Sequence, residues 1–166
     1  MLRYPVGFAA LCGLLLAIIG TMSGGQTYGA GYEQARGMVE EHSSLPPVFA
    51  LLKLAATVVS YVSGIPGGIF APSLSIGAAL GYVLTPLVPG APVGAMILLG
   101  MTAYFCGVVQ APITSTVIVM EMTANQSLMI PLIATAFLSF AVSRLVCRRP
   151  LYGALARRFL QVQGGG

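Results

Sequence analysis

Charge is what this 166-residue chain has least of: Asp, Glu, Lys and Arg together make up only 7% of it. A soluble domain is usually about a quarter charged, so an ordinary fold with a solvated polar surface is excluded. Cysteine is scarce as well. Cys12, Cys106 and Cys147 lie within or at the end of apolar runs, and an odd count without ligand spacing argues against a disulfide framework or a metal site. They read as small hydrophobes. The single histidine, His42, falls in a polar loop, which leaves little for a proton relay built on imidazole. The net charge of +4 is concentrated late, in Arg144, Arg148, Arg149, Arg157 and Arg158. No aromatic residues interleave these arginines as a single-strand nucleic-acid surface requires, so no nucleic-acid partner is expected. The cluster reads as a positive-inside signal on the cytoplasmic face. Residues 5–20 are apolar enough for the core of a signal peptide. Thr21-Met22-Ser23-Gly24-Gly25 is a poor cleavage site, however, and a membrane helix is expected instead.

Apolar residues are abundant, at 57% of the chain, with a mean hydropathy of +0.90. The 21 glycines and 11 prolines fall largely inside the apolar stretches, where neighbouring transmembrane helices can satisfy the backbone groups they free. The reading is an all-α, multi-pass integral membrane protein of a bacterial inner membrane or a plasma membrane, with the lipid bilayer as its first partner. Helices are expected over 5–20, 47–62, 69–86, 93–106, 111–122 and 128–146, with a turn over 107–112. An amphipathic piece follows over 151–162, and 164–166 form a disordered tail. Taking Arg3 as cytoplasmic, the alternating directions of these helices return Arg148 and Arg149 to the cytoplasm and leave the acidic loop around Glu33, Glu40, Glu41 and His42 outside. Several segments are short for a hydrocarbon layer of roughly 30 Å. Short, Gly/Pro-interrupted segments point to discontinuous helices that meet at a midplane site, a pattern shared by aquaporins and other re-entrant folds. Lys53 lies about two turns into the 47–62 helix, and either snorkelling or facing a watery cavity accounts for it. Glu121 reads as an exposed helix end or a structural hydrogen-bonding group.

The most informative segment is Gly67-Gly68-Ile69-Phe70-Ala71-Pro72. Paired glycines break an apolar stretch, which restarts as a helix through Ile69 and Phe70. The first N–H groups of a helix have no intrahelical acceptor, and the helix dipole adds partial positive charge there. Adjacent glycines let a ligand come close to those donors. Such a site can hold an anion by main-chain donors alone. Ser73 and Ser75 are expected to bond back to the preceding turn. Neither a catalytic residue nor a metal ligand is expected.

The run Ser63-Gly-Ile-Pro-Gly-Gly-Ile-Phe-Ala-Pro72 resembles a selectivity-filter segment of the CLC chloride channels and chloride/proton antiporters. Ala111-Pro-Ile-Thr-Ser-Thr-Val-Ile-Val-Met-Glu-Met-Thr123 resembles the family's next signature, and Pro150-Leu-Tyr152 the start of its last membrane helix. The resemblance implies a partial CLC-type fold over residues 1–163, the C-terminal portion of the membrane domain, with a helix N-terminus at the midplane. It implies that the amides of Ile69 and Phe70 and the hydroxyl of Tyr152 bind the anion, with Gly67, Gly68, Ala71 and Pro72 supporting the filter. Chloride is the transported ligand, and no cofactor or enzymatic activity is implied. A homodimer through helices 111–122 and 128–146 is implied too.

The family's other filter segments, one carrying a serine ligand and one a gating glutamate, have no counterpart here. The expected role is therefore anion transport, as voltage-gated channel or antiporter, by the C-terminal part of a subunit whose N-terminal half is a partner. A non-transporting membrane interaction subunit and an inactive fragment are the alternatives.

Overall fold

The computed structural model describes residues 5–29, 31, 37, 48–63, 68–123 and 127–147. Among them all regular structure is helical: α1 Pro5–Met22, α2 Val48–Val62, α3 Phe70–Leu84 with a 3₁₀ turn at Thr85–Leu87, α4 Val93–Val109, α5 Pro112–Thr123 and α6 Met129–Val146. The six expected helices are present within a few residues of their expected ends. The largest difference is α4, which continues through Gly107 to Val109 instead of stopping at Cys106. The turn expected over 107–112 shrinks to Gln110 and Ala111, with Gln110 in the left-handed region at φ 57°. Its amide donates to Ser143 Oγ and to the carbonyl of Cys147 at 3.1 and 2.7 Å. Those bonds stabilise a conformation that is uncommon for a residue other than glycine.

The chain divides into two compact units, residues 1–101 and 102–166, with the boundary inside α4. In the first unit α2 packs on both α1 and α3. The end of α1 is set by Gly24 and Gly25, at φ 62° and 84°. The Gly25 N–H donates to the Gly20 carbonyl at 2.8 Å, closing the helix through left-handed glycines. Tyr28 then folds its ring onto the bare Cα of Gly20. Between α3 and the first half of α4, glycines remove the side chains that would hold the backbones apart. A Cβ on Gly81 would fall onto the Met96 carbonyl, and one on Gly100 onto the Gly77 carbonyl. Close approach through small residues spaced four apart is how helices gain packing where lipid removes the hydrophobic drive.

In the second unit α5 packs on α6, and a column of small polar groups ties α6 to the end of α4. Ser139 Oγ donates to Ala103 O at 2.5 Å, Ser143 Oγ to Gly107 O at 2.6 Å, and Cys106 Sγ to Ala136 O at 3.1 Å. Cys12 and Cys106 are buried, in line with their reading as small hydrophobes, whereas Cys147 is exposed. Glu121 is exposed near the end of α5.

Two segments, Phe70–Leu87 and Met129–Val146, are long and apolar enough to cross a membrane. Only 11% of the second is buried, with Ile130 and Leu145 at 81% and 86% exposure. A core helix of a soluble protein would be covered; an apolar and uncovered one suits lipid contact.

Candidate anion-binding site

The start of α3 has no side-chain cap. Ile69 is its N-cap, at φ −89° and ψ −20°, and has no side chain able to cap. The first turn carries no acidic residue. The first i→i−4 bond runs from Ser73 N–H to Ile69 O at 3.0 Å, and Pro72 has no N–H to offer. Ser73 Oγ donates to Ile69 O at 2.7 Å and Ser75 Oγ to Pro72 O at 3.0 Å. Both hydroxyls therefore serve the preceding turn, as expected from the sequence. What the helix start presents is main-chain donors and the positive end of the dipole.

This start opens onto a cavity of ≈ 570 Å³ in the first unit. Gly68, Ile69, Phe70, Ala71 and Pro72 form one part of its wall. Five of the sequence-predicted site residues are thus brought together around one space. The other two, Gly67 and Tyr152, lie outside the described residues. Gly68 is exposed, has no atoms of the described residues within 4 Å of where a Cβ would stand, and is not in the left-handed region. Its lack of a side chain serves neither a contact with those residues nor a special φ.

The rest of the wall comes from α2, through Lys53, Ala56, Thr57, Ser60 and Tyr61, and from Thr27, Tyr28 and Gly29 after α1. Lys53 is only 2% exposed and lines the cavity. Its ammonium donates to the carbonyls of Thr27 and Gly29 at 2.9 and 2.8 Å. Thr27 is itself held, donating its N–H to Ser23 Oγ at 3.2 Å. Gly31, at φ 79°, leaves room beside the lysine: a Cβ there would stand 2.9 Å from Lys53 Cε and 2.8 Å from Ser75 Cβ. Sequence reading singled out Lys53 but not its carbonyl partners, nor the polar stripe it begins. The spacing Lys53, Thr57, Ser60 and Tyr61 at i, i+4, i+7 and i+8 marks one helical face, and was the signal available.

A sequence profile described as voltage gated chloride channel matches residues 2–144. The H(+)/Cl(-) exchange transporter ClcA of Vibrio parahaemolyticus is 39% identical over 116 residues, covering 66% of this chain and 25% of that protein. Those of Klebsiella pneumoniae and Yersinia pestis are 34% and 35% identical over 119 residues, at 68% and 25% coverage. The chain therefore spans about a quarter of the length of the curated relatives it matches.

Proposed function

This chain belongs to the voltage gated chloride channel family, and from that premise we propose that it supplies the C-terminal part of a chloride-transporting membrane subunit. The observation that carries the reading is the start of α3, where Ile69 makes no side-chain cap bond, opening onto a cavity with no acidic side chain among the described residues that line it. Chloride approaches past Gly68 and is held by the amides of Ile69 and Phe70, with the hydroxyl of Tyr152 as a further donor. Main-chain donors bind a halide without a full opposite charge at contact distance, which allows release as well as capture. The relatives' names describe proton/chloride exchange, and exchange is the mode proposed here.

The N-terminal half of a subunit is the partner that completes the ion path. The apolar, uncovered residues Ile113 and Val117 on α5 and Leu138 and Val142 on α6 support the proposal that these two helices pair with a second copy. Residues 1–163 would then form one incomplete membrane domain.

Binding and transport separate in the test. Liposomes holding only this chain are expected to show no selective chloride efflux, because ligands from the other half are absent. Co-reconstitution with the N-terminal part of the Vibrio relative is expected to restore it. Robust efflux from the chain alone, or none from the pair once its assembly is verified, would count against the proposal.

A further inference from the structure

Lys53 is the only charged side chain among the described residues of the first unit, and the transport reading leaves it unused. It sits in the middle of α2, is 2% exposed, and yet lines the same cavity as Ile69 and Phe70. Burying an ammonium among apolar helices is costly unless it is hydrogen-bonded and balanced by opposite charge. The carbonyls of Thr27 and Gly29 meet the first need. No acidic residue is present among the described residues of the unit to meet the second.

We propose that Lys53 is a positioning residue for the anion: its charge, clasped by the Thr27 and Gly29 carbonyls, makes the cavity wall electropositive. The inference rests on the anion-site reading and deepens it.

Two effects act in the same direction. The clasp turns two carbonyl oxygens, which would repel an anion, toward the ammonium. The charge itself then reaches across the space. A sphere of ≈ 570 Å³ is about 10 Å across, and over such a span, at an effective dielectric near 20, a unit charge changes anion affinity by on the order of tenfold. The ammonium holds its place through the two carbonyls, so it attracts the ion without direct contact that would trap it. Thr57 lies one turn beyond Lys53 on the same face, half-buried, lining the cavity, with its hydroxyl donating to Lys53 O at 2.8 Å.

The test measures chloride affinity of the full chain in lipid nanodiscs by calorimetry, with gluconate replacing chloride to hold ionic strength constant. Lys53→Arg keeps the charge and is expected to bind within about twofold of wild type. Lys53→Gln keeps a donor but loses the charge, and is expected to bind about tenfold more weakly, a loss of about 1.4 kcal/mol. Lys53→Met keeps the length of the side chain and removes the charge without leaving a polar group to bury, and is expected to weaken binding to a similar extent. A purely structural lysine would give folded Lys53→Gln or Lys53→Met proteins that bind like wild type, and that result overturns the inference. If Lys53→Gln fails to fold, Lys53→Met decides against the Lys53→Arg control. A wild-type chain that binds no chloride sinks the anion-site reading itself, and this inference with it. Wild-type binding with unaffected Lys53→Gln and Lys53→Met sinks only the role of Lys53.

Discussion

Two glycines of the first unit should respond to substitution in opposite ways, and the contrast separates the site from its scaffold. At Gly81 an added Cβ would stand 2.9 Å from the Met96 carbonyl carbon and 3.0 Å from Ile97 Cα, and closer still to the Met96 oxygen. These are backbone atoms with no rotamer to change, so α3 and α4 must move apart. Overpacking typically costs 1–3 kcal/mol, and a rigid backbone neighbour puts Gly81→Ala near the upper end, about 3 kcal/mol. For a chain of this size that lowers the unfolding midpoint by about 6–12 °C. At Gly68 an added Cβ meets nothing among the described residues within 4 Å and no strained φ. Gly68→Ala and Gly68→Val should therefore change stability by about 0.5 kcal/mol or less. On the proposed reading, the added side chains stand where an ion passes to reach the Ile69 and Phe70 amides. Losing one charge-assisted hydrogen bond to the ion costs about 1.5–3 kcal/mol, so chloride affinity of Gly68→Val should fall by about tenfold or more. The chain has no tryptophan, so unfolding is followed by circular dichroism at the helical band and chloride binding by calorimetry. A Gly81→Ala chain as stable as wild type would contradict the helix contact. A folded Gly68→Val chain with undiminished chloride affinity would refute the approach path.

Two further outcomes are expected. Tyr152→Phe should weaken chloride binding by at most about 1.5–3 kcal/mol, the worth of one hydrogen bond to a charged acceptor, without abolishing folding; unchanged affinity measured by calorimetry would remove Tyr152 from the site. Engineered cysteines near positions 42 and 158 should label with impermeant reagents from opposite faces of the membrane, and labelling of both from one face would contradict the crossing pattern read from Arg3 and the C-terminal arginines.

The helices were legible in the sequence because apolar runs broken by Gly and Pro leave few other options in a chain so poor in charge. The helix start was legible at Ile69 and Phe70 because a glycine pair followed by an apolar run states both a break and a restart. The end of α4 was not. Gly107 suggested a turn, but α4 continues through it, and Gln110 takes the left-handed position instead, held by Ser143 and Cys147 more than thirty residues away. Long-range bonds of that kind leave no local pattern. Lys53 illustrates the same limit. Its placement in an apolar helix announced a role, but its partners are main-chain carbonyls at Thr27 and Gly29, and every residue type except for its geometry offers the same oxygen. The glycines at 77, 81 and 100 read only as part of a general abundance, since nothing in their spacing says which helix they would meet.

The central claim is that the start of α3 holds a halide by its own backbone. Crystals of the chain grown in bromide test it most directly, through the anomalous scattering of the ion. The account predicts a bromide peak in the cavity within hydrogen-bonding reach of the Ile69 and Phe70 amides, lost when chloride replaces bromide. An occupied halide site elsewhere in the chain, with the cavity at Ile69 and Phe70 holding only water, would contradict it.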